Sequence, residues 1–161
     1  MTDAVLVVEG KRIHVNKTFL SIHSDYFKAL FSKNFKEGNQ NSEIEISEVS
    51  YNDFGLLCSS FYPNHQYPND KTVERLLMNA RRFLLSSVTL SVEHHLLHHS
   101  RIAFERILWL ADEYTIPKLL ENCIREIDSL VKVKKLERSK ENEKLSDKTK
   151  LLLLERILKL I

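Results

Sequence analysis

The chain has 161 residues, enough for one domain with a sizeable core and a helical extension. Apolar residues make up 43% and charged residues 29%, which is ordinary for a globular protein and argues against intrinsic disorder. The net charge is only +2, so the chain as a whole is not strongly basic. Three glycines and three prolines are too few for a many-turned β fold, and they predict helices joined by short loops.

The cysteines and the apolar runs indicate the compartment. Cys58 and Cys123 each lie in an apolar helical pattern, and two cysteines exclude a disulfide framework. They therefore predict buried free thiols in a reducing compartment. No apolar run approaches the ~20 residues of a membrane span, and the N-terminus lacks the basic and apolar regions of a secretory signal. We expect an intracellular protein of the cytoplasm, the nucleus or both, with no membrane association.

Positive charge is concentrated in the last part of the chain. Residues 130–161 contain ten Lys or Arg and five Asp or Glu. Because glutamates alternate with the basic residues and no aromatic residue lies among them, this pattern predicts a solvated helical surface rather than a nucleic-acid site.

The first strands are indicated by alternation and by turn chemistry. Residues 3–8 are apolar on both faces, which predicts a central strand. Glu9-Gly10 predicts a two-residue hairpin turn, with residues 11–15 returning antiparallel. Residues 43–47 alternate Ile and Glu and predict a half-buried strand whose outward glutamates protect a sheet edge.

Residues 13–31 change from strand spacing to helical spacing. Ser24 interrupts the helical path and suits an N-cap, with Asp25 in the first turn of the next helix. We therefore predict a strand, a short helix ending near His23, and a second helix over residues 25–31. The residues that carry this spacing are Ile13 and Val15 for the strand, and Leu20, Phe27 and Phe31 for one helical face.

The rest of the chain has helical periodicity. Helices are predicted from Ser50 to the residues before Pro63, from Thr72 through Phe83, over 86–99, over 101–113, over 117–135, and from Ser146 to the end. The last helix should fold back against residues 101–130, because its apolar stripe must pack on something. That stripe consists of Leu151, Leu154, Ile157, Leu158 and Ile161. We find no internal repeat.

The opening residues resemble a BTB/POZ domain. The matched positions are Asp3-Ala4-Val5, Ile13, Val15, Lys17, Leu20, Ser24, Tyr26, Phe27, Leu30 and Phe31. Asn16 stands where most family members have His, and in this the chain is similar to nematode BTB and MATH–BTB proteins. The resemblance covers residues 3–99 and extends more weakly to about residue 130.

The resemblance implies an α+β fold, in which helical hairpins cover a small, mainly antiparallel sheet. It implies a BTB/POZ domain over residues 1–99 and a helical extension over residues 100–161. The extension would hold a helical pair similar to the 3-box, followed by the C-terminal helix.

A short motif in the polar loop after residue 31 carries the partner prediction. BTB domains that bind cullin-3 have an apolar-x-Glu motif here, which in this chain is Phe35-Lys36-Glu37. The resemblance implies that Phe35 enters a pocket on the cullin while Lys36 points to solvent. The alternative is that Phe35 packs on its own core, one helical turn after Phe31.

Family members commonly dimerise through the first strand and the first helix. The resemblance therefore implies a homodimer surface that includes Val5, Val7, Leu20 and Phe27. The function it implies is a non-catalytic adaptor that links an unidentified protein substrate to a cullin-3 ubiquitin ligase. The alternative is a self-association scaffold or transcriptional co-regulator that binds no cullin.

The sequence contains no pattern typical of catalysis or of a cofactor site. It has no glycine-rich phosphate loop, no G-x-S-x-G motif and no Cys/His/acid grouping of recognised spacing. Residues 94–99 include two i,i+4 histidine pairs, each able to offer two imidazoles to a metal. Because the sequence supplies no third ligand, we interpret these as surface histidines and predict no metal.

Overall fold

The structure, a computed structural model, describes residues 2–34, 43–63 and 66–160. The strands are β1 (Ala4–Val8), β2 (Lys11–Val15) and β3 (Ile44–Glu45). The helices are α1 (Lys17–His23), α2 (Asp25–Asn34), α3 (Tyr51–Ser59), α4 (Val73–Arg82), α5 (Ser86–His98), α6 (Phe104–Glu113), α7 (Pro117–Glu126), α8 (Leu130–Glu137), α9 (Lys140–Lys144) and α10 (Asp147–Leu158). The chain divides into two compact units, Met1–Val92 and Glu93–Ile161, with the division inside α5.

The described strands form a small mixed sheet in the order β2-β1-β3. β1 pairs antiparallel with β2 along its whole length and parallel with β3. Glu9 and Gly10 connect β1 to β2 with φ angles of 49° and 73°, the two positive values that a tight hairpin turn requires. Leu6 and Val8 have no solvent exposure. The prediction that β1 is the central strand is therefore confirmed.

The core of the first unit is built on three phenylalanines from three helical segments. Phe27 of α2, Phe54 of α3 and Phe83 after α4 are each at most 1% exposed. The rings of Phe27 and Phe83 stack with centroids 5.5 Å apart, and Phe54 meets Phe83 edge-on at the same distance. These contacts bury large apolar area and hold α2 and α3 against the end of α4.

Ser24, between α1 and α2, joins these two helices to this core. Its hydroxyl accepts a hydrogen bond from the backbone N–H of Phe27 at 3.1 Å, as predicted for an N-cap. The same hydroxyl donates to the carbonyl of Phe83 at 2.6 Å. That carbonyl lies at the end of α4, where backbone acceptors lack helical partners. One buried side chain therefore caps two helix ends.

Two helical hairpins follow the same plan, which corrects our expectation that the sequence holds no repeat. α4 and α6 end in the same six-residue cap, in which Leu85 N–H donates to Ala80 and Ile116 N–H donates to Ala111. The residue before each donor, Leu84 or Thr115, has a positive φ. At an offset of 31 residues, buried positions coincide in the pairs Leu77/Leu108, Ala80/Ala111, Leu85/Ile116, Val88/Leu119 and Val92/Cys123.

Several predicted helix boundaries are wrong, including the start of α6, which is Phe104 and not residue 101. α2 continues beyond the predicted end at Phe31 and reaches Asn34. The helix predicted over residues 117–135 is two helices, because Ile127 takes an extended conformation between α7 and α8. Ile127 is 1% exposed, so the break places an apolar side chain in the core. Its carbonyl, which no longer has a helical partner, accepts a hydrogen bond from Arg156 at 2.9 Å.

Candidate interaction surfaces

The residues predicted for the dimer surface lie at two different depths. Val5 and Val7 are half-buried on β1, whereas Leu20 and Phe27 are 0% and 1% exposed. A side chain without exposure contacts its own subunit, so Leu20 and Phe27 support α1 and α2 from inside. The dimer itself stays a prediction, and any contribution of α1 and α2 to its surface would come from the outer faces of these helices.

A broad groove lies on that outer face. Its volume is about 820 Å³, and Thr18, Ile22, Lys28 and Phe31 are among the residues that line it. Ile22 is 74% exposed, although isoleucine is usually buried. Ile22 is absent from the predicted dimer surface, because helical spacing indicates only the Leu20–Phe27 face as apolar. The feature of the sequence that points to Ile22 is its position as an isoleucine on the otherwise polar side of a seven-residue helix.

The start of the chain is fixed beside this groove. The Asp3 carboxylate accepts a hydrogen bond from the backbone N–H of Lys17 at 2.7 Å, at the first turn of α1. An acidic side chain at a helix N-terminus is favoured by the helix dipole. At the same helix N-terminus, Asn16 caps α1 by accepting from Phe19 N–H at 2.7 Å. Asn16, which departs from the usual family residue, therefore has a local structural role.

The predicted cullin-binding motif is not placed by the structure. Phe35, Lys36 and Glu37 lie outside the described residues, immediately after the last residue of α2. Both interpretations of Phe35, as a partner contact or as a core residue, stay predictions.

The second unit contains a small cleft with mainly apolar walls. Its volume is about 150 Å³, and its walls include Leu97, Ile102, Phe104 and Ile107. A cavity of this size accommodates a benzene-sized apolar group. Asn122 and Glu126 also line the cleft, and the Asn122 amide donates to the Glu126 carboxylate at 2.8 Å. The cleft therefore combines apolar walls with a fixed polar pair.

Both cysteines are free, as the sequence predicts. Burial raises the pKa of the Cys58 thiol and of the Cys123 thiol to about 12. The thiolate is the nucleophilic form of cysteine, so neither side chain is activated for covalent chemistry near neutral pH. Cys123 lines the cleft in the second unit as an apolar packing residue.

The N-terminus of α10 is held by a polar cluster that consists of Asp112, Ser146 and Thr149. The Asp112 carboxylate accepts hydrogen bonds from the Ser146 N–H at 2.6 Å, the Ser146 hydroxyl at 2.7 Å and the Thr149 hydroxyl at 2.6 Å. Ser146 in turn caps α10 by accepting from Thr149 N–H at 3.2 Å. The predicted cap is confirmed, and Asp112 of α6 is the partner that the sequence did not reveal.

The electrostatics of Asp112 follow from these bonds. Burial alone raises the pKa of the carboxyl group, but the hydrogen bonds from Ser146 and Thr149, with the nearby charge of Lys150, outweigh it. The net result is a pKa below the usual value for Asp. Asp112 is therefore a stable anion at neutral pH, and its charge holds the beginning of α10 to α6.

The other end of α10 is tied to the C-terminal end of α7. Arg156 donates to the carbonyls of Ile127 and Arg125, at 2.9 and 3.3 Å. Between the two ties, Thr149 has no solvent exposure and Leu153 is 5% exposed. The prediction that this helix folds back against the preceding helices is therefore confirmed.

The face that packs is not the predicted one. Leu151, Leu154 and Leu158 are 56%, 52% and 64% exposed, so the apolar stripe faces solvent in the chain alone. Ile157 is half-buried, and Ile161 lies outside the described residues. The physical reason is that Thr149 and Arg156, on the opposite face, make hydrogen bonds that fix the rotation of the helix.

The described residues offer no ready metal site and no membrane span. No group of three or more His, Cys, Asp or Glu side chains among them is arranged to hold a metal ion. His94 and His98 lie close together, with ring centroids 4.7 Å apart, and both are exposed. None of the described helices has the length and apolar character that crossing a bilayer requires.

Comparison with known proteins connects these surfaces to a family. The family model described as BTB/POZ domain matches residues 1–100. A BTB/POZ domain-containing protein of Caenorhabditis elegans is 42% identical over 137 residues, which cover 85% of this chain and 43% of that protein. BTB and MATH domain-containing protein 38 of the same organism is 32% identical over 160 residues, covering 99% of this chain and 41% of that protein. The chain thus spans less than half the length of either relative.

The structure of the BTB domain of human Gigaxonin is also similar. It has a TM-score of 0.49 and 24% identity, and covers 58% of this chain and 76% of that one. The match of the family model over residues 1–100, together with 42% identity to the nematode relative over most of the chain, identifies the family. The chain belongs to the BTB/POZ domain family, whose members are protein-interaction modules.

Proposed function

We propose that this chain is a non-catalytic, intracellular BTB adaptor that docks on a cullin-3-type scaffold and brings a protein substrate to ubiquitin ligation. One observation carries the proposal: the BTB and MATH domain-containing relative matches 99% of this chain, including the helical extension. The extension is therefore shared sequence, and a BTB domain followed by a helical pair is the arrangement that the sequence resemblance associates with cullin binding.

Two features of the chain support a cullin contact. Phe35 and Glu37 occupy the family position of the apolar-x-Glu motif, directly after α2. The cleft of about 150 Å³ in the second unit is large enough for one apolar side chain of a partner. A large side chain buried in a partner pocket is the usual form of an interface anchor.

The deciding experiment measures binding of the full chain to the N-terminal region of cullin-3 by biolayer interferometry. Phe35→Ala should weaken binding about thirtyfold, because losing a buried aromatic anchor costs ~2 kcal/mol or more. The melting temperature should stay nearly unchanged. Lys36→Ala is the matched control and should change neither measurement.

The alternative interpretation of Phe35 gives the opposite result. A core phenylalanine replaced by alanine costs about 3–5 kcal/mol of stability. A large drop in melting temperature for Phe35→Ala, or no cullin binding by the wild-type chain, would end the adaptor proposal.

A second candidate function is self-association without cullin. It is favoured by the groove beside α1 and α2 and by the 74% exposure of Ile22 within it. In that case the chain is a homodimeric scaffold or transcriptional co-regulator, and its BTB domain holds two copies of a longer protein together. A dimer that binds no cullin would select this function over the adaptor.

A further inference from the structure

The exposed leucines of α10 have the spacing of a helix-pairing seam. Leu151, Leu154 and Leu158, called the leucine stripe below, are separated by three and four residues. This is the a, d, a pattern of a coiled coil, in which each apolar side chain inserts between side chains of a second helix. All three are more than half exposed, while the opposite face of α10 packs on its own unit. The stripe is therefore apolar, regular and uncovered in the single chain.

The charges that flank the leucine stripe are complementary to a second copy of the same helix. With Leu151 at position a, Lys150 takes position g and Glu155 takes position e. In a parallel pair of helices, a residue at g lies beside the e residue five positions later on the partner. Lys150 and Glu155 are five residues apart, opposite in charge and both exposed. A two-fold axis along the stripe would pair them twice.

We propose that the leucine stripe of α10 is a self-association surface, on which a second copy of this chain packs its own α10 in parallel. Asp147 takes the d position that precedes Leu151 in the same pattern. It would face Asp147 of the second copy, and repulsion between the two carboxylates would limit the contact to the last two-thirds of the helix. The proposal does not depend on cullin binding.

The small area of the leucine stripe limits the affinity of this contact. α10 has 12 residues, and three leucines per chain bury much less than the ~1,200 Å² of a stable interface. The contact is therefore concentration-dependent in the isolated chain. Two separate two-fold contacts on one chain, the leucine stripe and a dimer through the first unit, would link copies into open assemblies. Such linkage raises the local concentration and strengthens each weak contact.

The test is sedimentation equilibrium of the full chain from about 10 µM to about 1 mM, near physiological salt. It is done in an Ile22→Asp background, so that association through the first unit does not obscure the result. We expect a reversible monomer–dimer equilibrium, weakened at least tenfold by Leu154→Ser. Leu154 is 52% exposed, so this variant should melt as the parent does. No association at 1 mM, or equal association by Leu154→Ser, would overturn the proposal.

Charge exchange provides a second, independent measurement. Glu155→Lys places two lysines at each flank of the pair, and Lys150→Glu places two glutamates there, so each single variant should associate less than the parent. Mixing the two variants restores opposite charges at both flanks, and the mixed pair should form in preference to either homodimer. Because Lys150 also lies near Asp112, melting curves must show that Lys150→Glu keeps its fold. Equal association of all forms would refute the parallel pairing.

A lipid surface is the competing occupant, since exposed leucines beside lysines also suit anionic membranes. Co-sedimentation with phosphatidylserine vesicles separates the two. Vesicle binding that Leu154→Ser abolishes, in a chain that shows no self-association, would overturn the second-copy assignment. Self-association without vesicle binding would support it.

Discussion

Asp112 connects α6 to the start of α10 through one carboxylate. It belongs to α6, accepts from the cap of α10 and fixes the buried hydroxyl of Thr149. Hydrogen bonds to a charged acceptor are stronger than those between neutral groups. We therefore expect Asp112→Asn to lower the free energy of unfolding by about 1–2 kcal/mol at pH 7, measured by chemical denaturation.

The pH dependence of that loss has a definite sign. The pKa of Asp112 is lower in the folded chain than its ordinary value, so the carboxylate stabilises the fold at neutral pH. This stabilisation is lost as the pH falls through the folded pKa. The difference between wild type and Asp112→Asn should therefore shrink from about pH 5 to pH 2. Asp128→Asn, which removes an exposed partner of Lys132, is the control and should have little effect at either pH.

Thr115 holds a backbone conformation that suits glycine. Its φ is 53°, in the left-handed region, where a β-branched side chain is strained. The residue is exposed and lies in the cap between α6 and α7. Thr115→Gly should therefore raise the free energy of unfolding by about 0.5–1 kcal/mol, read from denaturant midpoints. Thr18→Gly, the same change in an ordinary helical turn of α1, should lower it. A loss of stability in both variants would contradict this account of the cap.

Single residues also show where sequence reasoning about the site succeeds and fails. Helical spacing placed Leu20 and Phe27 on one apolar face, and both are core residues. The same spacing cannot distinguish a core face from an interface, because both are apolar. Ile22 is exposed and lines the groove, but one isoleucine on a polar helical face carries little signal in a sequence.

At the scale of elements, α10 shows how polar partners override apolar periodicity. Its start was predictable from Ser146, and its helical character from the spacing of the leucines. Its rotation was not, because the strongest apolar stripe faces solvent while Thr149 and Arg156 find acceptors on α6 and after α7. Those acceptors are distant in sequence, and their positions depend on the tertiary fold. The break between α7 and α8 was not predictable for the same reason, because the Ile127 carbonyl accepts a hydrogen bond from Arg156, which is distant in sequence.

Removing α10 tests whether its packed face contributes to stability. Truncation after Asn142 deletes Leu145 and Leu153, which are 4% and 5% exposed. Burying each leucine is worth about 1.5–3 kcal/mol, so the truncated chain should melt at a clearly lower temperature in calorimetry. Leu158→Ala, at a 64% exposed position, should leave the melting temperature unchanged. An unaltered melt after truncation, with rapid amide exchange through residues 151–160 of the intact chain, would show that α10 does not stabilise the unit.

At the scale of the whole molecule, the family and the fold class were predictable from the sequence. The fixed register of residues 3–31 identified a BTB/POZ domain, and the family model matches residues 1–100. The two helical hairpins are difficult to detect as a repeat, because only some of their shared buried positions keep the same residue: Leu77/Leu108 and Ala80/Ala111 are identical, whereas Leu85 corresponds to Ile116 and Val92 to Cys123. The domain boundary at residue 99 stays a proposal.

The oligomeric state is the property of the whole molecule that the proposals most depend on. A homodimer through the groove beside α1 would bury Ile22, which is 74% exposed in the single chain. We therefore expect light scattering at tens of micromolar to give about twice the chain mass of 18.9 kDa. Ile22→Asp should return the monomer mass, because the contact would then bury a carboxylate, which loses its hydration, in place of an apolar side chain.

The control for this prediction is Leu90→Asp, on α5 of the same unit. Leu90 is 63% exposed and does not line the groove, so this change should leave the mass at the dimer value. Leu90→Asp should also melt as the wild type does, because its side chain already faces solvent. A monomer mass for the wild-type chain, or an equal loss of dimer in both variants, would place the contact elsewhere. A dimer that Ile22→Asp dissociates while cullin-3 binding persists would show that the two surfaces of the domain act independently.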